Sequence, residues 1–201
     1  MNAMPRLSAL AAATALWFFA GCSSPSGRVM SDTEDDLVGD RRAGAATYDR
    51  LIEGAVNKLL DRFTGGLTRS STAKVAFGGV DNKSAEELGE WRDQITQIID
   101  TKVNKFVGFE TVSMRYVEAA LRETNLRIDD LFIPKNRRAF LAVLERNDNP
   151  AQALLFATLT RGTTQSGDLT QANYLLTMEM VDSEGGNNIK ETQELRKEYS
   201  R

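Results

Sequence analysis

Ala153-Leu154-Leu155-Phe156-Ala157-Thr158-Leu159 is an apolar run with no break in it. A strand that faces solvent on one side alternates apolar and polar residues. A strand covered on both sides is apolar throughout, so this run reads as the central strand of a sheet with layers packed on each face. Downstream, Tyr174, Leu176, Met178 and Met180 alternate with Leu175, Thr177 and Glu179, which describes a strand with one better-buried face. The polar segment between them, residues 162–170, reads as a hairpin loop. Gly185-Gly186 marks a second turn. Beyond it, Ile189, Glu191, Gln193 and Leu195 alternate against charged residues up to Tyr199, as in an edge strand protected by its charge, with a terminal helix as the alternative.

Upstream of the central run the periodicity changes to that of helices. Tyr48, Leu51, Ile52, Ala55, Val56, Leu59, Leu60 and Phe63 recur at steps of three and four, with Thr47 as a capping residue and Gly65-Gly66 as the stop. Ala73 to Val80 reads as a strand that leads through Gly78-Gly79 into the polar turn Asp81-Asn82-Lys83. Ser84 and Glu87 have capping-box spacing and predict the start of a helix that buries Leu88, Trp91, Ile95, Ile98, Ile99, Val103 and Phe106. Phe109 to Ser113 is then a short strand, paired parallel to the first through that crossover. A helix capped by Ser113, with Tyr116, Val117, Ala120 and Leu121 inward, is predicted to end at Asn125. Ile128, Leu131 and Phe132 form a packed connection, and Pro134 opens a last helix through Arg146 with Phe140, Leu141 and Leu144 inward. The expected fold class is α/β: a mixed β-sheet with flanking helices, crossovers first and an antiparallel meander last.

The N-terminus carries a different kind of signal. Arg6 is the single charge of a short leader, and Leu7 to Gly21 is apolar but too short to span a bilayer, which takes about 20 apolar residues. Ala20-Gly21-Cys22 resembles a bacterial lipobox, with Phe19 standing where Leu is usual. The resemblance implies removal of residues 1–21 and acylation of Cys22, the chain's only cysteine, to give an anchor of three acyl chains. Ser23 at the next position, rather than Asp, favours the outer membrane. Residues 22–46, with Pro25 and the acidic group Asp32, Glu34, Asp35 and Asp36, read as a disordered tether reaching at most roughly 80 Å. Residues 47–201 make the folded domain, long enough to hold a core without disulfides or metal.

Composition narrows the chemistry. The chain has no histidine, one cysteine and a formal net charge of −3, with acids and bases interspersed. Thiolate and histidine chemistry, cysteine or histidine metal sites and a nucleic-acid footprint are therefore not expected, and no cofactor, small-molecule ligand or catalytic residue is evident. Gly78-Gly79 lacks the spacing of a phosphate-binding loop and is followed by the repelling carboxylate of Asp81. Asp129-Asp130 read as helix-start carboxylates and Arg137-Arg138 as a solvated face. Without a histidine base, and with no Ser-x-x-Lys in a suitable setting, the serines offer no activated nucleophile, so an enzyme is not expected.

The strand and turn from Val75 to Lys83, Phe109-Glu110-Thr111-Val112-Ser113, the segment from Leu126 to Leu131 and the stretch Tyr174 to Asp182 together resemble the LpoB family of lipoproteins that activate penicillin-binding proteins. The similarity spans roughly Ala73 to Tyr199 plus the lipobox. It implies an α/β domain similar to the TolB N-terminal domain. It also implies an outer-membrane anchor facing the periplasm, and a class A penicillin-binding protein as the partner that is stimulated. No motif carries contact residues across. The alternative is a structural or assembly subunit of an envelope or secretion complex, similar to CsgG.

Overall fold

The computed structural model describes residues 43–65, 72–183 and 187–200. The signal, Cys22, the tether as far as residue 42 and the Gly185-Gly186 turn lie outside the described residues. Within them, helix α1 (Ala45–Gly65) is followed by β1 (Ala73–Asn82), α2 (Trp91–Lys105), β2 (Phe109–Thr111) and α3 (Met114–Thr124). A 3₁₀ turn (Ile128–Phe132), α4 (Pro134–Arg146), β3 (Ala153–Ser166), β4 (Leu169–Asp182) and β5 (Asn188–Ser200) complete the order. The strands form one mixed sheet in the order β2-β1-β3-β4-β5, parallel across β2-β1-β3 and antiparallel across β3-β4-β5. The run Ala153 to Leu159 is the middle strand, as its composition requires.

Each face of the sheet has its own core. Val75, Phe77, Leu155, Ala157, Leu159, Tyr174, Leu176, Met178 and Met180 point to the side covered by α1 and α2. The whole stripe of α1 from Tyr48 to Phe63 is buried there, joined by Ile95, Ile99 and Val103 of α2. Ala76, Leu154, Phe156 and Val181 point the other way, onto Val117 and Ala120 of α3, Leu131 of the 3₁₀ turn and Phe140, Val143 and Leu144 of α4. This second layer covers only part of its face. Farther along the meander the same side presents Thr158, Thr177, Glu179, Lys190 and Thr192 along an open groove.

Several local expectations are corrected. Helix α1 begins ahead of Thr47, whose hydroxyl is buried without a hydrogen-bond partner. The Ser84/Glu87 capping box does not form. Asn82 takes Ser84 instead, its Oδ1 accepting from the Ser84 backbone N–H at 3.0 Å and from the hydroxyl at 2.6 Å, so the chain loops as far as Glu90 before α2 starts. Asparagine side chains compete for backbone donors in this way at turns.

Gly78-Gly79 lies inside β1, within the strand expected over Ala73 to Val80. Phe77 pairs with Leu155 and Val80 with Ala157, so two residues oppose one. Gly79 supplies the φ of +100° that this bulge requires. The extra residue restores the alternation, and Val80 returns to the α1 side of the sheet. The hairpin expected to be a loop over residues 162–170 is mostly strand: β3 runs to Ser166, and the turn is reduced to Gly167-Asp168. Tyr116 is half exposed, leaving Val117 and Ala120 as the buried face of α3. Asn125 ends α3 in the left-handed conformation, and Pro134 sits in the first turn of α4.

Candidate functional site

Three places on the described residues combine shape with polar chemistry. The first is a buried cluster around Glu86, in the loop between β1 and α2. Asn82 holds the loop in place, its Nδ2 donating to the Glu86 carbonyl at 2.7 Å. The Glu86 carboxylate accepts from the Tyr174 hydroxyl at 3.0 Å and from Arg161 Nη1 at 2.8 Å. Both charged side chains are largely buried, Arg161 at 15% and Glu86 at 9% exposure, and the guanidinium carbon lies 5.5 Å from the centre of the Tyr174 ring. Burial raises the Tyr174 phenol well above its ordinary range, and the Glu86 charge raises it further. Nearby Tyr48, whose ring centre is 5.6 Å from that of Trp91, is pushed up to about 12 by burial first and by the Glu86 charge second. A carboxylate already neutralised by an arginine and locked by two hydrogen bonds is a structural clasp rather than an acid or base poised for proton transfer.

The second is a crevice of about 830 Å³ at the carboxyl ends of β1 and β2. Strand β1 leads to α2 on one face and β2 leads to α3 on the other, so the crevice opens where the connections diverge, the usual place for a ligand in an open α/β sheet. Its walls carry Arg92 and Arg115 but also Asp93, Asp100, Glu110 and Glu118. With carboxylates outnumbering guanidinium groups, it is unsuited to phosphate.

The third is the groove of about 670 Å³ between the 3₁₀ turn and the open side of the sheet. Phe132 stacks on Phe156 with ring centres 4.5 Å apart, yet it stays 46% exposed. Ile128 and Ile133 beside it are 36% and 53% exposed. Arg127, Asp129, Glu179 and Lys190 surround this apolar ridge. Leu131 alone of the expected packed connection is fully inward.

The sequence-selected charges fall into place around these sites. Asp129 and Asp130 open the 3₁₀ turn, and Asp130 Oδ2 accepts the Arg127 backbone N–H at 2.8 Å, a helix-start role. Arg138 is exposed, and its Nε donates to the Pro134 carbonyl at 3.3 Å. Arg137 is half buried, with Nε unpartnered, so only Arg138 of the pair is a solvated cation. Glu86 was not singled out by sequence. Its one trace there is the preceding Asn82 turn, which says that the loop is held but not what it holds. Among the described residues no group of three or more His, Cys, Asp or Glu side chains could hold a metal ion, and no helix is long and apolar enough to cross a membrane.

No family model matches the chain, and no curated protein matches it in sequence. Solved structures do. The LpoB C-terminal domain from Salmonella enterica is similar over 72% of this chain and 97% of its own, at 14% identity and a TM-score of 0.51. The NMR structure of E. coli LpoB is similar over 100% of this chain and 96% of its own, at 12% identity and a TM-score of 0.50. The lipoprotein GNA1162 from Neisseria meningitidis shares 16% identity over 63% of this chain and 83% of its own, with a TM-score of 0.43. The chain therefore has an LpoB-like fold.

Proposed function

We propose that this chain is an outer-membrane lipoprotein, anchored through Cys22 and facing the periplasm, whose folded domain binds and stimulates a class A penicillin-binding protein. The observation that carries the reading is the LpoB-like fold, found in a chain whose N-terminus resembles a lipobox. The chemistry of the domain supports a non-catalytic regulator. The buried charged cluster around Glu86 is a closed clasp, and the ridge of exposed apolar side chains, Ile128, Phe132 and Ile133, is the kind of surface that a macromolecular partner buries. Polar groups around that ridge supply the rim of such an interface.

The test has two arms. Crosslinking in intact cells, followed by capture of the chain, is expected to retrieve a class A synthase, and the purified pair should polymerise glycan faster than the synthase alone; recovery of no synthase refutes the reading. Phe132→Ala and Ile133→Glu should weaken the capture while leaving the fold intact. For the anchor, Cys22→Ala is expected to abolish palmitate labelling and membrane fractionation, and persistence of both would overturn that part.

A further inference from the structure

Strand β5 is the edge of the sheet, hydrogen-bonded to β4 along thirteen residues with no bulge. It contains no proline, and among the described residues no strand pairs with its outer edge. An edge that long and regular presents a row of backbone donors and acceptors, which proteins ordinarily interrupt or shield with charge. The charges on β5 have an order of their own. Read from its middle residue, Glu194, outward in both directions, the sequence is complementary to itself: Lys190 mirrors Glu198, Glu191 mirrors Lys197, and Ile189 mirrors Tyr199.

We infer that β5 pairs antiparallel with β5 of a second copy of this chain, about a twofold axis at Glu194, to make one continuous ten-stranded sheet. A twofold axis perpendicular to the sheet keeps both copies' helices on the same side, and it therefore pairs residues that share a face. On the side away from α1, Lys190 meets Glu198 of the second copy, and Thr192 meets Arg196. On the α1 side, Glu191 meets Lys197, Gln193 meets Leu195 and Ile189 meets Tyr199. By symmetry the contact contains four opposite-charge pairs.

The rows extend into each protomer. Lys190 already pairs with Glu179 of β4 at 2.8 Å, so the row reads Glu179, Lys190, then Glu198 of the second copy, alternating in sign. Glu191 already receives Arg62 of α1 at 2.6 Å on the other side. The single like-charge contact, Glu194 against itself, is relieved by Arg196, which bonds to Glu194 within the strand. Moving the axis to Gln193 would set Lys190 against Arg196, and moving it to Leu195 would place Glu191 against Tyr199 and break both kinds of opposite-charge pair outside the centre. The register centred on Glu194 is also the one in which all thirteen residues find a partner. A charged edge repels unrelated strands; this pattern admits a second copy of itself.

The experiment reads the register directly and does not depend on any synthase. In the full chain with Cys22→Ala, so that an introduced thiol is the only one, Glu194→Cys is expected to crosslink into dimers with a short bismaleimide. Lys190→Cys alone, roughly 26 Å from its symmetry mate at about 3.3 Å per residue, should not. Lys190→Cys mixed with Glu198→Cys should crosslink as a pair. Charge exchange gives a second readout by light scattering. Lys190→Glu/Glu191→Lys and Lys197→Glu/Glu198→Lys should each lose dimerisation by about tenfold or more, and their equimolar mixture should recover it, because the two variants are complementary only to each other. The second variant leaves the contacts with Glu179 and Arg62 in place, which separates lost pairing from lost folding. Absence of a Glu194→Cys crosslink, equal crosslinking at every edge position, or failure of the mixture to associate would each overturn the inference.

Discussion

Replacing Glu86 with glutamine keeps the size and shape of the side chain and removes one negative charge from the clasp. The carboxylate is 9% exposed and faces Arg161, itself 15% exposed, at 2.8 Å, with the Tyr174 hydroxyl at 3.0 Å. Breaking a buried ion pair by neutralising one partner destabilises by about 3–5 kcal/mol, because the remaining charge stays desolvated without its counterion. Removing only the phenolic hydroxyl, with Tyr174→Phe, leaves the ion pair in place and should cost about 1.5–3 kcal/mol, the range for a hydrogen bond to a charged group. Both changes act on the same carboxylate, so the double variant should fall short of their sum by about 0.5–3 kcal/mol. Urea unfolding followed by Trp91 fluorescence measures all three, since Trp91 begins the helix that the Glu86 loop leads into. In a chain of this length Glu86→Gln should lower Tm by roughly 6–20 °C. A Glu86→Gln protein within about 1 kcal/mol of the parent would refute the view that this loop is held by its buried charge.

Tyr48 gives a pH signature. Its folded-state value near 12 stands above the ordinary 10.0, so its own contribution to stability is fully present below pH 10 and is lost as pH rises from 10 to 12, by about 2–3 kcal/mol; Tyr48→Phe should remove that share of the decline and leave the share of Tyr174, which is raised in the same direction. Gly79→Ala should destabilise by about 1–2 kcal/mol from its positive φ alone, because a Cβ there meets only ordinary contacts at 3.7 and 3.8 Å; an unchanged denaturation midpoint would count against the bulge. Leu144→Ala, at a fully buried position in the smaller core, should cost about 2–5 kcal/mol by calorimetry.

The sequence made the packing legible wherever burial imposes a period. The three- and four-residue steps of α1, the unbroken apolar run of β3 and the alternation of β4 each correspond to a face that is in fact covered, as do Asn125 and Pro134 at the ends of helices. Where neither face is covered, the pattern disappears: Gly162 to Leu169 is exposed on both sides, so its ladder was indistinguishable from a loop. Ser84 and Glu87 met the spacing rule for a cap, but Asn82 had the prior claim on Ser84, and local competition between side chains is invisible to spacing. The role of Glu86 is illegible in the sequence for a related reason. Its partners Arg161 and Tyr174 are brought to it only by tertiary structure, and among many glutamates nothing local marks the buried one. The apolar ridge is the inverse case: its apolar composition marks Ile128 and Phe132 as core, and the structure leaves them partly open.

The seam between β1 and β3 has a consequence for how the molecule is made. The meander β3-β4-β5 is contiguous in sequence, and each of its strands pairs with the next one along the chain. Across the seam, by contrast, Lys74 bonds to Gln152, 78 residues away. Closing a loop of that length carries an entropic charge that a hairpin does not, and non-local parallel pairing is slow for that reason. The C-terminal meander is thus positioned to assemble early and to serve as the template on which β1, with α2 and β2 in train, adds last. Substitutions in the β3-β4 ladder should slow refolding, whereas changes at the seam should chiefly hasten unfolding.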